Sequence, residues 1–265
     1  MRQYILYDPL VGDGQGERLV RSAPVLRLDQ TDALLCDLSK HGDYAEFFAA
    51  LAPDDRVVLC GGDATLNRFV NDTRGLTLPE ELYYFACGAD SDLMRDLGLQ
   101  AGSSIVRLGG LLEGLPTLSY GRHERRFVNS VGLGLDGGYR ARFALGGFRP
   151  CNAVVTVDGT AHSFERVWLA STLKGRYCGG MMVAPAQDRA EAQRRVSVLL
   201  LHGGRLSVQR TLHRLSHGTR TRCGGCVERL CGQDILVELD RPVPLYVDGE
   251  AQGESRVYRV RTGVE

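Results

Sequence analysis

The sequence contains no long hydrophobic run. Within its 265 residues, no window approaches the roughly 20 consecutive apolar residues that a membrane-spanning helix needs. The first residues, Met1–Tyr4, lead directly into an apolar strand pattern and lack the hydrophobic core of a secretory signal peptide. These absences predict a cytoplasmic protein whose contact with a membrane is at most peripheral.

The chain also has no net charge, because 32 Lys and Arg balance 32 Asp and Glu. Binding to a nucleic acid backbone is driven by concentrated positive charge, so this neutrality argues against nucleic acid as the main partner. There is no internal repeat and no low-complexity segment. With 43% hydrophobic residues, the chain can bury one large core or two smaller ones.

The charge is nevertheless distributed unevenly. Residues 1–100 contain 17 acidic and 9 basic side chains, a net charge of −8. Residues 190–230 contain 8 arginines against Glu191 and Glu228, a net charge of +6. One interpretation is a solvated arginine-rich face. The other is a patch that meets anionic lipid headgroups, where each basic residue contributes about 1 kcal/mol.

Eight cysteines are scattered along the chain, and in a reducing cytosol most of them should be free thiols. Cys223 and Cys226 have the spacing of a zinc knuckle, with Cys231 and His217 as further candidate ligands. A single Cys-x-x-Cys pair without a second matching pair is a weak zinc signal. Zinc binding and ordinary free thiols both remain open.

The most informative stretch is residues 57–67. An apolar run, Val57–Cys60, leads into Gly61, Gly62 and Asp63 at the start of a predicted helix. Glycines let a ligand approach the backbone closely, and the first turn of a helix favours an anion. This arrangement predicts a site for a magnesium nucleotide. Glycine-rich strand-to-helix turns also arise for packing reasons alone, and that alternative stays open.

Two more apolar runs end in similar loops. The strand pattern Tyr4–Tyr7 precedes the glycine-rich residues 8–16, and Leu82–Ala86 precedes residues 87–92. In an open parallel α/β sheet, ligands bind outside the carboxyl ends of the strands. We therefore expect the three loops to converge on one nucleotide.

These loops resemble the motifs of the diacylglycerol kinase catalytic-domain family, which includes bacterial lipid kinases and the sphingosine and ceramide kinases. Residues 8–14 are similar to the family's Asn-Pro-x-Ser-Gly loop, residues 61–65 to its GGDGT signature, and residues 88–92 to its Gly-Thr-x-Asn-Asp loop.

The resemblance continues through the second half of the chain. Residues 127–136 resemble the family's middle segment, and residues 179–186 resemble the stretch before its structural metal site. Residues 248–250 are the family's Asp-Gly-Glu. The six matches occur in the family's order and span nearly the whole chain.

The resemblance implies ATP-dependent phosphoryl transfer, with Mg²⁺, to a hydroxyl of diacylglycerol or a similar lipid at the membrane surface. Asp63 would bind magnesium or orient the acceptor, and Glu250 would be the general base. A homodimer is left open. The candidate nucleotide-binding residues are Asp8, Gly12, Gly14, Thr31, Gly61, Gly62, Asp63, Ala64, Thr65, Asn67, Gly88, Ala89 and Asp92.

Two of these assignments have simpler alternatives. Thr31 has the residue type of an ordinary helix cap. Asp248-Gly249, which precedes Glu250, has the composition of an ordinary hairpin turn.

Several positions depart from the family pattern. Ala64 stands where the family has glycine; if the position needs a positive φ, alanine costs about 1 kcal/mol and reshapes the loop. Ala89 and Ser91 replace a threonine and an asparagine. The Asp-Gly expected after Ala186 is absent, which leaves Asp188 as a weak candidate for the structural metal.

These departures leave two alternatives to a lipid kinase. One is a degenerate family member that binds nucleotide or lipid without transferring phosphate. The other is a small-molecule kinase such as one acting on NAD, because that related fold also uses a Gly-Gly-Asp loop. The Asp-Gly-Glu near the end of the chain favours the lipid-kinase branch.

Two domains are predicted. The alternation of strands and helices predicts an α/β nucleotide-binding domain with a mostly parallel sheet over residues 1–118, and the resemblance implies that this domain is akin to that of phosphofructokinase. Residues 119–250 are predicted to be mostly antiparallel, and the resemblance implies that they form a β-sandwich that binds the lipid and that residues 251–265 return to the first domain. The predicted strands are residues 4–7, 24–28, 57–60, 82–86, 154–157, 167–171, 196–201, 235–239 and 257–260, and the predicted helices are residues 41–52, 66–72, 91–97 and 206–215.

Overall fold

The computed structural model describes residues 2–28, 32–40, 42–88, 90–134, 148–182, 189, 194–216 and 225–263. The chain divides into two compact units, Met1–Glu113 and Gly114–Glu265. The boundary that we placed at residue 118 from the sequence lies within a few residues of this division.

The first unit contains a sheet of five strands in its described residues, in the order β2-β1-β3-β4-β5. All neighbours are parallel except β4 and β5. The central strands are covered on both faces, which is why they read as continuous apolar runs in the sequence. The strands are β1 (Gln3–Tyr7), β2 (Ala33–Asp37), β3 (Arg56–Gly61), β4 (Leu82–Ala86) and β5 (Ile105–Arg107).

In the described residues, five short α-helical segments connect these strands. The longest, α4, buries Leu66, Phe69 and Val70, whose spacing places them on one face of the helix. The segments are α1 (Val11–Gly14), α2 (Gly16–Arg21), α3 (Tyr44–Ala49), α4 (Asp63–Asp72) and α5 (Asp92–Asp96). The helices predicted near residues 41–52, 66–72 and 91–97 are therefore present.

The strand predicted at residues 24–28 is wrong. Pro24–Leu26 is a 3-10 turn, and Arg27 follows it with a left-handed φ of 48°. Proline lacks the N–H that a central strand needs, and its fixed φ suits the start of a helical turn. The second strand is β2 instead, which pairs with β1. Its sequence, Ala-Leu-Leu-Cys-Asp, contains no β-branched residue and gives little strand signal.

The second unit is an antiparallel β-sandwich, and its main sheet has nine strands in the described residues. Its long strands β10 and β15 each pair with β9 along one half and with β8 along the other. The register shifts within β10 and β15, where β-bulges allow a strand to bend. The strands are β6 (Thr117–Tyr120), β7 (His123–Arg126), β8 (Ser130–Gly134), β9 (Cys151–Val157), β10 (Thr160–Leu173), β13 (Val196–His202), β14 (Val227–Gly232), β15 (Asp234–Val247) and β16 (Glu250–Arg261).

The remaining elements of this unit are a two-stranded sheet and one helix. The small sheet is formed by β11 (Tyr177–Cys178) and β12 (Met181–Met182). Helix α6 (Arg205–Ser216) occupies the position of the helix predicted at residues 206–215. Among the described helices, none combines the length and the hydrophobicity that crossing a bilayer requires.

The C-terminal residues require a correction. We expected residues 251–265 to return to the first domain, but β16 pairs with β15 and β6 within the second unit. The reason is local, because Asp248 and Gly249 form a tight turn that folds β16 back along β15. The backbone of β16 is then committed to this sheet.

Candidate functional site

Three strand ends lie side by side at one edge of the first unit's sheet. Tyr7 of β1 is opposite Cys60 of β3, and Gly61 of β3 is opposite Ala86 of β4. The ladder continues just beyond the strands: Asp8 N donates to Cys60 O at 3.0 Å, and the amide after β4 donates to Gly61 O at 2.9 Å. The loops after β1, β3 and β4 therefore meet, as the parallel pairing led us to expect.

Thr65 connects two of these loops. It is the third residue of α4, and its Oγ1 donates to Asp8 Oδ2 at 2.6 Å and accepts from Gly62 N at 3.3 Å. This inward position is open only because residue 61 has no side chain. A Cβ on Gly61 would lie 2.5 Å from Cβ and Cγ2 of Thr65. The first glycine of the signature is thus a packing requirement.

Arg68, one turn further along α4, binds the same carboxylate. Its Nη2 donates to Asp8 Oδ2 at 2.6 Å, while Leu10 N donates to Asp8 Oδ1 at 2.9 Å. Asp8 is 7% exposed, whereas the Arg68 side chain is 45% exposed. Asp8, proposed from the sequence as a nucleotide contact, is therefore also the anchor that joins the first loop to α4. Arg68 was not identified from the sequence, where the only indication of its role is its i, i+3 spacing from Thr65.

Asp63 joins α4 to the loop before α5. Its Oδ1 accepts from Ser91 Oγ at 2.5 Å, and its Oδ2 accepts from Asp92 N at 2.6 Å. Ser91 Oγ in turn accepts from Met94 N at 3.2 Å and caps α5. A carboxylate beside the first turns of two helices is favoured by their positive ends. Asp63 therefore has a structural role in addition to any role toward a ligand.

The hydroxyl of Tyr84 lies near both Gly61 and Asp63. Its side chain is fully buried, and its hydroxyl lies 3.2 Å from Gly61 O and 3.5 Å from Asp63 Oδ1. Burial, and then the nearby Asp63 carboxylate, raise the pKa of Tyr84 well above its usual value. The phenol therefore stays protonated at neutral pH and acts as a hydrogen-bond donor.

Ala64 lies inside α4 and not in a left-handed turn. In the described part of the chain, the non-glycine residues with positive φ are Asp13, Arg27, Asp158, Arg166 and Asp248. Alanine therefore carries no φ penalty at position 64, and the reshaped loop that we considered from the sequence does not arise from this substitution.

The glycines of the other two loops do need their conformational freedom. Gly12 and Gly14 have φ values of 63° and 82°, and Asp13 between them is also left-handed. Gly88, after β4, has a φ of 91°. These left-handed positions favour glycine and let the backbone turn sharply beside the strand ends.

The remaining candidate residues either are buried within α4 or lie outside the described residues. Asn67 is 1% exposed, and its backbone O accepts from Asn71 Nδ2 at 2.8 Å, so this candidate is a buried residue of α4. Thr31, Ala89, Asp188, His217 and Cys223 lie outside the described residues.

The metal predictions are limited in the same way. In the ranges that the structure describes, no group of three or more His, Cys, Asp or Glu side chains could hold a metal ion. The zinc knuckle and the Asp188 site both depend on residues outside those ranges, so they stay predictions.

In the second unit, the Asp-Gly-Glu segment begins with Asp248. Asp248 and Gly249 have φ values of 45° and 84°, as in the two-residue turns that join antiparallel strands. The hairpin interpretation of this dipeptide is therefore correct. Asp248 is 6% exposed, and its carboxylate accepts from three backbone amides, at 2.7, 2.7 and 2.9 Å, those of Val128, Asn129 and Ser130.

The same backbone segment is held from two other sides. Arg189 donates to Val128 O at 2.8 Å and to Asn129 Oδ1 at 2.9 Å, and Lys174 N donates to Asn129 O at 2.9 Å. The Lys174 side chain is buried, and its Nζ donates to Gly114 O at 3.3 Å. Burial, and then the charge of Arg189, lower the pKa of Lys174 to about 7. None of these contacts was identified from the sequence, because they join residues far apart in the chain.

Glu250 itself begins β16, opposite Val247 of β15, and is partly buried. Its role as a general base stays a prediction.

Two family models match the chain. The diacylglycerol kinase catalytic domain matches residues 2–115, and the YegS C-terminal NAD kinase beta sandwich-like domain matches residues 135–261. The two matches correspond to the two units of the fold.

Solved structures share this fold. A diacylglycerol kinase from Bacillus anthracis str. Sterne has 16% sequence identity and a TM-score of 0.64, with 99% of this chain and 94% of that chain covered. Another structure from the same organism has 16% identity and a TM-score of 0.68, with 97% and 93% covered. No curated protein sequence matches the chain significantly.

We predict that Asp8 and Arg68 stabilise the fold as a pair. In a double-mutant cycle of Asp8→Asn and Arg68→Met, the coupling free energy should be about 1 kcal/mol, because Asp8 is buried while Arg68 is half exposed. The measurement is urea unfolding of the four proteins. The matched control is the exposed pair of Glu17 and Arg21, expected to couple by about 0.3 kcal/mol. Equal coupling in both cycles would contradict the prediction.

A second prediction concerns Asp248. Asp248→Asn should lower the free energy of unfolding by about 1–3 kcal/mol, because an amide cannot accept from all three buried N–H groups, whereas asparagine tolerates the left-handed backbone. Asp158 provides the control: it has a φ of 48° and accepts from two backbone amides, but it is exposed. Asp158→Asn should cost clearly less, because both amides donate to the one oxygen Oδ1, which asparagine retains, and because the side chain is exposed. A cost for Asp248→Asn no larger than the control's would contradict the prediction.

Proposed function

The chain is a divergent member of the diacylglycerol kinase catalytic-domain family, and from this premise we propose that it is an ATP-dependent lipid kinase. In this proposal it transfers the γ-phosphate of ATP to a hydroxyl of diacylglycerol or a similar lipid. The acceptor lies at the membrane surface, and the enzyme itself is cytoplasmic.

One observation carries the proposal: the junction of three loops at the carboxyl edge of the parallel sheet. Thr65 ties α4 to the loop after β1, and Asp63 ties it to the loop after β4. Ligands of open α/β sheets bind at this edge. Helix geometry leaves the first-turn amides of α4 without acceptors inside the helix, and these amides and the helix dipole favour a phosphate.

The site also fits magnesium by its chemistry. The side chains of Asp8, Asp63 and Ser91 at this edge offer only oxygen ligands, which Mg²⁺ prefers. Mg²⁺ is usually held by one or two carboxylates together with substrate phosphates. We assign Asp63 to hold it, and when bound it would neutralise charge on the phosphates.

Each remaining residue has a stated task. Gly61, Gly62, Ala64 and Thr65 would contact the phosphates through backbone and hydroxyl groups, with Gly12, Gly14 and Gly88 shaping the neighbouring loops. Glu250 would accept the proton of the lipid hydroxyl.

A binding protein without transferase activity is a second candidate, and one observation favours it. The carboxylates of Asp8 and Asp63 are both engaged by protein donors, as they would be in a purely structural role. The two functions differ in one measurable outcome, the transfer of phosphate.

The test is transfer of radiolabelled phosphate from ATP to a panel of lipids in mixed micelles, with NAD as a separate acceptor. Label in a lipid is the expected result. Label in NAD alone would assign the chain to the small-molecule kinases. If no acceptor is labelled while calorimetry shows nucleotide binding to the folded protein, the binding role is correct. If neither transfer nor binding occurs at millimolar nucleotide, the proposed site is wrong.

We further predict that substitutions of Glu250 and Asp63 have different effects on turnover and nucleotide affinity. Glu250→Gln should lower turnover by about 10² to 10⁴ and leave nucleotide affinity nearly unchanged, because a general base makes no ground-state contact with the phosphates. Asp63→Asn should weaken both turnover and nucleotide affinity, because it removes a charge from the metal site. Turnover and calorimetric affinity are measured for each variant.

Two controls accompany these variants. Glu254→Gln removes an exposed carboxylate from the same strand as Glu250 and should leave turnover unchanged. Ser91→Ala removes one hydrogen bond to Asp63 without changing its charge, so it should reproduce only the structural part of the Asp63→Asn loss. Full activity of Glu250→Gln would show that Glu250 is only the residue after a turn.

A further inference from the structure

Helix α6 presents a basic outer face. Four of its exposed residues are basic: Arg205, Arg210, His213 and Arg214. The sequence contains no acidic residue between Glu191 and Glu228, so no carboxylate of this segment offsets their charge. In the part of the chain that the structure describes, Arg205, Arg210 and Arg214 form no ion pair.

The inner face of the helix fixes which side faces outward. Val208, Leu212 and Leu215 are at most 3% exposed and pack into a core cluster of the second unit with Trp168 and Leu199. These three residues follow i, i+4, i+7 spacing, so they form one stripe along the helix. Because this stripe is held in the core, α6 cannot turn its basic side inward without unpacking it.

The residues two positions before each member of the buried stripe form a second row on the opposite side of the helix. Leu206, Arg210 and His213 lie roughly 200° around the helix from the buried stripe, since successive residues are about 100° apart. Leu206 is 69% exposed, although it is a large hydrophobic residue. The outermost row of α6 therefore combines an exposed leucine with basic side chains.

We propose that this face of α6 docks on a lipid bilayer that contains anionic phospholipids. The inference deepens the proposed lipid kinase activity and rests on it for its purpose, because such an enzyme must reach an acceptor held in a membrane. Basic residues near an anionic leaflet are attracted to it, and an exposed leucine can enter the interfacial region. A nucleic acid backbone would match the arginines but gain nothing from Leu206, so the leucine favours the membrane.

The expected contribution of the arginines to membrane binding follows from their number. Each basic residue near an anionic surface raises the membrane partition constant by about fivefold, so two arginines account for about 25-fold. The attraction is screened by salt, because the Debye length falls to a few ångströms at high ionic strength. The apolar contribution of Leu206 should persist at high salt.

The experiment is sedimentation of the full chain with vesicles of phosphatidylcholine, with or without 30 mol% phosphatidylglycerol, at low and high salt. The variant Arg210→Gln/Arg214→Gln should lose about 25-fold in partition to the anionic vesicles at low salt. The control Arg122→Gln/Arg256→Gln removes two exposed arginines elsewhere in the same unit and should change partition by less than about twofold. Leu206→Ser should weaken binding at both salt concentrations.

The outcomes separate this inference from the proposed activity. Equal binding to neutral and anionic vesicles, or equal losses in both arginine pairs, would overturn it. Binding to duplex DNA or RNA that exceeds vesicle binding and is unaffected by Leu206→Ser would also overturn it, in favour of a nucleic acid partner. Vesicle binding needs no phosphate transfer, so a chain that binds anionic vesicles through α6 and phosphorylates no acceptor would retain the docking surface and lose the kinase.

Discussion

The hydrogen bond between Thr65 and Asp8 is the contact on which the candidate site depends. It joins residues 57 positions apart, and it connects the first turn of α4 with the loop after β1. It forms because Gly61 leaves room for the threonine and because Arg68 binds the same carboxylate oxygen. Without this contact, the first glycine-rich loop would be attached to the rest of the site mainly through Arg68 and the ladder between β1 and β3.

Both units use a buried carboxylate to hold a backbone segment. Asp8 is 7% exposed and receives donors from two parts of the first unit, and Asp248 is 6% exposed and receives three backbone amides from residues 128–130. An acidic residue in a motif is therefore not by itself a ligand for a metal or a proton. Fixing the loops in advance is nevertheless what phosphoryl transfer requires, since its catalysis depends largely on positioning.

The parts of the fold that the sequence predicts are those with a local signal. β1, β3 and β4 are buried on both faces and therefore read as apolar runs, and α6 is recognisable by its buried stripe. β2 lacks β-branched residues, and Pro24 sits inside an apolar run that is no strand. At β2 tertiary pairing overrides a weak local pattern, whereas at Pro24 the fixed φ of proline outweighs the apolar run.

Within the candidate site, too, the features with a local signal were predicted and the contacts between distant residues were not. The glycine loops were located because their residues are neighbours in the sequence and because they resemble a known family. The hydrogen bonds of Asp248 to residues 128–130 and the pairing of Asp8 with Arg68 were missed, because the partners lie 60 to 120 residues apart in the chain. Glycine has several reasons to occur in a loop, and the sequence does not distinguish the packing need of Gly61 from the left-handed φ of Gly88.

The charges of the first unit determine what kind of ligand the proposed site can admit. Residues 1–100 carry a net charge of −8, so a bare triphosphate would be repelled by the unit as a whole. Arg68 forms an ion pair with Asp8, and Asp63 adds a second carboxylate in the first turn of α4. The amides and dipole of α4 supply only about half a positive charge. In this proposal a divalent cation held by Asp63 would offset the negative charge of the unit as well as the charge of the phosphates, so it would favour nucleotide binding before any role in phosphate transfer.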